Sequence, residues 1–510
     1  MSDETNSSQL TRDLILRFES ECDPFKYRVR ECCLWPVFRF AASQHIKINL
    51  GGLTTLQSSL RNRGPFARVG ALYAMFEERL RLQALKLRRS TFDVVSVTHP
   101  NRLRYKVGRS YRNVYLDFTE PPIENALQIF ILSRAGRKPA HSPSLFFSPR
   151  TVWPKVVMAS KRRGMGTDEV MALHADLSAF LADADHTDAM LLPVAFWRLE
   201  LANFLALTDS FIDIFRATRP KVVIMECYYD KMWAIAAARQ LNIPVLELQH
   251  GIIYDGHMAY TYDPGSASRH REWMTLPDRI LTFGRYFSEI ITSRGFWTPA
   301  QIEEVGFPRM EYHQADFEYR APGADEKLRV LISSQWIMTE KLISFLQEAV
   351  PRLPDNVVVN IKAHPSEQDT SAYRRIEGVG VLDAADDFYE LMLNHHIHCS
   401  VFSTTLLESI GLGVPTMIIG LPGSDNALPM TEKGYCKVAN SPDEFAALLG
   451  EAACDAAVLA DWVANTKRNI SYFWEPGASA NIHAAIAEAA SRRNAETSSS
   501  GTPTALRKHP

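Results

Sequence analysis

The chain has 510 residues, 46% of them hydrophobic and 22% charged, with a formal net charge of −2. That balance excludes a disordered polyelectrolyte and supplies enough chain for two or more domains with their own cores. The seven cysteines (Cys22, Cys32, Cys33, Cys227, Cys399, Cys436, Cys454) are odd in number and form no CxxC pair, which argues against a disulfide framework or structural zinc. Met1 to Leu10 lacks the apolar core of a signal peptide, and the longest apolar stretch, Ser409 to Pro422, is broken by glycines and prolines. It falls short of the roughly 20 residues that span a bilayer, so a cytoplasmic protein is expected.

The charge is unevenly spread. Lys26 to Arg112 carries 18 Lys and Arg against four acids, a local +14 that leaves −16 for the rest. Within it, Arg61 to Arg89 places Val69, Leu72, Tyr73, Phe76, Leu80 and Leu87 at helical spacing, with Arg79, Arg81, Lys86, Arg88 and Arg89 around them. Two readings stay open for this helix: packing on its own domain with a solvated basic face, or contact of residues 61–89 with an anionic membrane surface or acceptor.

Beyond it the pattern turns to strands alternating with helices. Phe92 to Thr98 reads as a first strand ending in His99-Pro100-Asn101-Arg102. Residues 120–170, rich in Pro, Ser, Arg and Lys, read as a long connection with one or two short elements. Leu191 to Arg216 has helical spacing. Then come strand Lys221–Met225, helix Lys231–Leu241, strand Pro244–Leu248 leading into Gln249-His250-Gly251, and strand Asp278–Thr282 ending in Phe283-Gly284. This alternation implies right-handed βαβ units on a parallel sheet.

Glu318 to Lys327 is Pro-, Gly- and charge-rich and reads as the interdomain linker. A second series follows: Leu328–Ile332 ending in Ser333-Ser334-Gln335, Val357–Ile361, Val379–Leu382, Ile397–Val401 and Pro415–Gly420. Helices Lys341–Val350 and Asp387–Leu393 lie between them, and Pro442–Gly450, Ala456–Arg468 and Ser479–Arg493 close the fold. Two motifs sit where buried strands end, Lys362-Ala363-His364-Pro365 and Phe402-Ser403-Thr404-Thr405-Leu406-Leu407-Glu408. Ligands of open α/β sheets bind outside the carboxyl ends of strands, and a Ser-Thr-Thr turn opening a helix offers hydroxyls and N–H groups to a phosphate.

The series Leu248-Gln249-His250-Gly251, Val305-Gly306-Phe307-Pro308-Arg309, Lys362-Ala363-His364-Pro365 and Ser403 to Glu408 with Gly413-Val414-Pro415 resembles bacterial capsule and surface-polysaccharide glycosyltransferases of the GT-B type. In its His-Pro and Ser-Thr elements it is similar to polysialyltransferases and CDP-glycerol glycerophosphotransferases. The resemblance covers roughly residues 215–425. Leu34 to Arg39, Val97 to Pro100 and Tyr115 to Asp117 are similar to the front ends of capsule enzymes.

The resemblance implies an α/β GT-B fold, with a Rossmann-like acceptor domain at 91–320 and a Rossmann-like nucleotide-sugar domain at 321–494; charge and composition add a basic helical region at residues 1–90 and a disordered tail at 495–510. It implies transfer of a sugar from a nucleotide-activated donor to a glycan or lipid-linked glycan, without metal, by a cytoplasmic enzyme that is peripheral at the inner face of the plasma membrane. The alternative is another GT-B reaction, that of a UDP-N-acetylglucosamine 2-epimerase or a glycerophosphate transferase. Donor contacts are expected from His364, Lys362, Ser403, Thr404, Thr405, Glu408 and Ser334. Glu408 is assigned to ribose hydroxyls or, alternatively, to the helix dipole. Arg309 is read either as a phosphate ligand or as half of an interdomain ion pair. His250 is the first candidate for general base, its imidazole suited to proton transfer near neutral pH, with Asp255, Glu226 and Asp230 as rivals.

Other apparent motifs are set aside. Asp183-Ala184-Asp185 lacks a preceding strand, and His395-His396-Ile397-His398 has no acidic or cysteine partner at metal-binding spacing. No GxGxxG or P-loop follows a strand, so no NAD-type cofactor is expected, and no nucleic-acid-binding module is present.

Overall fold

The computed structural model describes residues 3–499, except 51–90 and short positions at 133–137, 163, 185, 187–189, 324, 336–337, 365–366, 368, 384–385, 425–426, 428, 433 and 469. The basic helix expected at Arg61 to Arg89 lies outside the described residues, as do Pro365, Asp185 and the chain from 500 onward.

Among the described residues the chain builds two parallel sheets. The first contains β1 (Val94–Thr98), β2 (Ala126–Ile131), β3 (Ser144–Phe147), β4 (Val222–Met225), β5 (Val245–Leu248), β6 (Arg279–Thr282) and β7 (Ile302–Glu304), in spatial order 3-2-1-4-5-6-7. The second contains β8 (Leu328–Ser333), β9 (Val357–Lys362), β10 (Val379–Leu382), β11 (Ile397–Ser400), β12 (Thr416–Ile419) and β13 (Lys437–Ala439), in order 10-9-8-11-12-13. Every ladder in both is parallel. The inner strands are continuous β-branched and apolar runs because helices cover both faces. Each order reverses direction once, between β1 and β4 and between β8 and β11, and such switch points open the ligand crevices of doubly wound folds. Two such units in one chain form the expected GT-B architecture.

Helices α1 (Asp3–Cys22) and α2 (Trp35–Leu50) pack on the first unit, along with α3 (Trp153–Ser160), α4 (Thr167–Asp183), α5 (Val194–Thr218) and α6 (Met232–Gln240). Later in the chain come α7 (Pro308–Gln314), α8 (Thr405–Gly411) and α9 (Ala478–Ser499). The anchor of α1 and α2 is a buried ion pair between Glu19 and Arg39. Arg39 also donates to the carbonyls of Met258 and Thr261, and Glu19 accepts from Trp35 Nε1 (2.8 Å) and from the backbone N–H of Asp263 (2.8 Å). The N-terminal helices therefore brace the loop that follows β5.

Three features depart from the sequence reading. The supposed connection 120–170 contributes β2 and β3 to the first sheet; both are short, and the polar segments around them mask their apolar runs. The three-residue strand β13 is too short to show in the pattern. Helix α9, contiguous in sequence with the second unit, packs on the first sheet. Its Ile482, Ala485 and Ala489 join Val222, Ile224, Leu246 and Leu281, and Arg279 of β6 pairs with Glu488 at 2.7 Å. That helix runs to Ser499, past the expected start of the disordered tail at 495.

The return to the first unit passes over two glycines. A Cβ on Gly284 would lie 2.6 Å from the Phe473 backbone, and one on Gly306 would lie 2.1 Å from the Glu475 carbonyl, with Gly306 at φ +82°. Trp474 stacks on Phe283 with ring centroids 4.9 Å apart and donates from Nε1 to the Leu407 carbonyl of α8 at 3.0 Å. Gly306→Ala, which brings both a backbone clash and a left-handed strain, is expected to lower stability by about 2–4 kcal/mol. Urea unfolding measures this, and a variant within 0.5 kcal/mol (roughly the scatter of a neutral surface change) would refute the close crossing.

Candidate functional site

The first crevice is held together by a carboxylate. Glu226, just past β4, is buried and accepts from the Thr98 hydroxyl (3.0 Å), the His99 N–H (3.1 Å) and Arg102 Nε (3.5 Å). Through Oε1, which takes all three bonds, it joins the ends of β1 and β4, a bracing role that argues against its candidacy as general base. Lys231, fully buried, donates to the Glu226 carbonyl and to Asp230 Oδ1, each at 2.7 Å. Burial pushes the Asp230 carboxyl up, but Lys231 and a 2.8 Å bond from His99 Nε2 overcome it and bring the pKa down to about 2. Asp230 is thus a fixed anion. Asp255 is also corrected: on the surface, it is bound by Arg294 Nε at 2.6 Å and lies 3.6 Å from Arg12.

His250 is placed differently. Gln249 links the ends of β5 and β6 by accepting from the Phe283 N–H (2.7 Å) and donating to the Gly251 carbonyl (2.8 Å), which fixes the turn. The His250 carbonyl accepts from the Tyr115 hydroxyl at 2.6 Å, its Nε2 lies 3.5 Å from the Tyr229 hydroxyl, and its Nδ1 is buried without a hydrogen-bond partner. Burial, with Arg102, His257 and Lys231 nearby, drives its pKa well below the usual histidine value, so the ring is neutral at neutral pH and holds an added proton less tightly than a free imidazole does. A Cβ on the next residue, Gly251, would sit 3.5 Å from Thr404 Cγ2. The carboxyl ends of the two sheets meet here.

Across the contact, the His364 turn is organised by Glu367, a residue that sequence reasoning passed over. Its carboxylate accepts from the His364 N–H (2.7 Å), the Thr339 hydroxyl (2.6 Å), the Tyr373 hydroxyl (2.8 Å) and the Ser334 hydroxyl. Ser334 is therefore a brace of this turn rather than a free donor, and its oxygen also accepts from the His364 N–H at 2.9 Å. Ser403 Oγ accepts from the Thr405 N–H (3.3 Å), while the Thr405 hydroxyl is buried without a partner. The Glu408 carboxyl makes no hydrogen bond or ion pair with any described residue. Burial, only partly offset by Arg309 and Arg104, raises its pKa to about 7. Arg309 takes the second of its two readings: buried, it donates to Asp387 of the second unit at 2.6 Å and lies over the Tyr389 ring.

Arg104, also missed, supplies positive charge from the other side. It lies on the hairpin Leu103–Val107/Ser110–Asn113 and bonds only its Nε to the Asn101 carbonyl (2.8 Å) among the described residues. Its guanidinium bears on Glu408 and, together with burial, depresses the basicity of His364 and Lys362. Alternation of buried Leu103 with exposed Arg104 was the available signal, obscured by the high density of basic residues there. The three histidines after Asn394 take separate partners: His395 bonds Asn360, His396 the Arg329 N–H, and His398 Ser333 and Ser409.

No family model and no curated protein matches the chain. Solved structures with a similar trace include MurG of Acinetobacter baumannii (13% identity, 78% of this chain and 99% of that one, TM-score 0.45). Others are the UDP-GlcNAc 2-epimerase of Neisseria meningitidis bound to UDP-GlcNAc (13%, 78% and 99%, TM-score 0.43) and the wall teichoic acid polymerase TagF (12%, 83% and 99%, TM-score 0.43). Likeness at this identity concerns chain trace, not activity; the fold assignment rests on the strand orders above.

Below His250 lies Glu247, wholly buried in β5. One carboxyl oxygen accepts from the Tyr228 N–H (3.1 Å) and the Tyr260 hydroxyl (2.9 Å), and the other has no partner. Burial raises its pKa from 4.5 to about 8. A raised carboxyl contributes stability that is complete below the unfolded-state value and is lost as pH rises through the folded value. The melting temperature of Glu247→Gln relative to the parent should therefore climb between about pH 5 and pH 8. A constant difference across that range would show that Glu247 is ionised in the fold.

Proposed function

We propose that the chain is a glycosyltransferase that moves a sugar from a nucleotide-activated donor, held by the second unit, to a hydroxyl of a bacterial surface or capsular glycan presented by the first. The observation that carries this reading is the meeting of the two crevices at Gly251 and Thr404, with a neutral, half-satisfied His250 on one side and the His364 and Ser403–Glu408 elements on the other. Arg104 and Lys362 bring positive charge, and the neutral His364 imidazole a hydrogen-bond donor, to the place where a leaving diphosphate would develop negative charge, and we assign them that role without a metal. The unpartnered Thr405 hydroxyl and Glu408 carboxyl are left to bind donor phosphate and sugar hydroxyls.

In the reaction the acceptor oxygen attacks the anomeric carbon, the bond to the nucleotide diphosphate breaks, and the acceptor proton passes to the His250 imidazole. The fixed anion Asp230 and buried Lys231 keep the crevice rigid behind it. The acceptor glycan is carried on lipid, so the enzyme works at the inner face of the plasma membrane.

His250→Ala is expected to lower turnover about 10²- to 10⁴-fold with donor affinity nearly unchanged, whereas His364→Ala should weaken donor binding and leave the fold intact. Thermal shifts with CMP-, UDP-, GDP- and CDP-linked sugars identify the donor, and single-turnover assays with it separate the two effects. Near-normal turnover in His250→Ala across a full pH profile would remove this residue from the mechanism. Release of free sugar without acceptor would favour an epimerase or hydrolase instead.

Glu408 adds a pH dependence. Because its carboxyl titrates near 7, donor affinity should change through that region as the carboxylate forms, and Glu408→Gln should abolish the change. An unchanged profile in the variant would place Glu408 outside the donor site.

A further inference from the structure

Five of the eight well-exposed large apolar side chains among the described residues fall between positions 153 and 194: Trp153 (48% exposed), Met158 (58%), Met165 (61%), Met171 (52%) and Val194 (37%). The elements that carry them are joined to one another in the first unit. Arg198 Nη2 of α5 donates to the Arg162 carbonyl just past α3 (3.1 Å), and His174 Nε2 of α4 lies 3.0 Å from the Leu192 carbonyl before α5. Gly166 seats the intervening turn against Val29 and Leu201. Helix α3 is anchored by the fully buried Val156 and presents Pro154, Lys155 and Met158 to solvent, with Arg162 exposed just past its end.

Scattered single apolar residues on a surface need no explanation, but a cluster of this kind with a basic rim does. Lys155, Lys161, Arg162 and Arg198 ring the corner, against Asp168 and Glu169 as the acids on it. A tryptophan with unbranched, polarizable methionines beside lysines and arginines suits the boundary between lipid headgroups and acyl chains, where an indole is favoured and cations meet anionic phosphates. A protein partner would be met by aromatic and apolar groups without need of that cationic rim.

We infer that the corner formed by α3, the turn at 164–166 and the starts of α4 and α5 is a docking surface for an anionic lipid bilayer. It inserts Trp153, Met158 and Met165 at the headgroup level while Lys155, Lys161 and Arg162 contact lipid phosphates. The inference concerns residues other than 61–89 and does not depend on the identity of the transferred sugar.

The test uses the full-length protein with sedimentable vesicles of phosphatidylcholine alone or of equimolar phosphatidylcholine and phosphatidylglycerol. The parent should bind the anionic vesicles, and binding should fall with salt. The variant Lys155→Glu/Lys161→Glu/Arg162→Glu should bind on the order of a hundredfold more weakly, and Trp153→Ser/Met158→Ser/Met165→Ser should lose binding that persists at high salt. Circular dichroism and nucleotide-induced thermal shifts should remain those of the parent in both, which separates this inference from failure of the donor site. Three results would overturn it: no binding of the parent to anionic vesicles, undiminished binding by both variants, or loss of binding only on charge reversal at Arg79, Arg81, Lys86, Arg88 and Arg89. Concentration-dependent self-association of the parent that is abolished by the Ser variant, without vesicle binding, would reassign the corner to contact with a second copy.

Discussion

The two units are held in register by a crossing of backbone on backbone. At Gly284 and Gly306 the chain returning from the second unit lies so close to the ends of β6 and β7 that no side chain fits between. Trp474 fills the remaining space, flat against Phe283 and Phe307, and its indole N–H is bonded to the backbone of α8. The helix that follows Ser403 and Thr404 is thereby positioned with reference to the first sheet. Everything that faces the cleft, from His250 on one wall to Glu408 on the other, depends on that reference.

A second constraint acts on the wall that carries His250. Burying a charged pair stabilises only if both partners are otherwise satisfied, since an unpaired buried charge costs several kcal/mol. Glu19 and Arg39 meet the condition by bonding one another, Trp35 and three backbone groups of the loop 258–263. The pair thus spends its bonding capacity on fixing a loop. Tyr260, in the same loop, bonds the buried Glu247, so the brace extends from the N-terminal helices to the floor beneath His250.

Much of this was legible in the sequence where local pattern decides the outcome. Ile397 to Val401 is buried on both faces and Val357 to Ile361 on the face that carries Val359 and Ile361, and the His364 and Ser403 motifs follow them at strand ends. Non-local pairing hid the rest. Nothing near Asp255 announces that Arg294 and Arg12 occupy its carboxylate, and nothing near Glu226 reveals the three donors converging on it. Strand β3 has four residues inside a polar stretch, too few for periodicity to register. Arg309 carried both readings from the start, and only the position of Asp387 chooses between them.

Helix α9 has a consequence for the order of assembly. Its Ile482, Ala485 and Ala489 close one face of the first sheet, so that sheet has no finished core until almost the whole chain has been synthesised. The second unit, by contrast, has a core of its own on one face of its sheet, and Ser334, Thr339, Glu367 and Tyr373, all within it, supply bonds that shape its His364 turn. Domains usually fold from the N-terminus as they leave the ribosome. Here one face of the first sheet, with Val222, Ile224 and Leu246, stays uncovered until the last helix has been made.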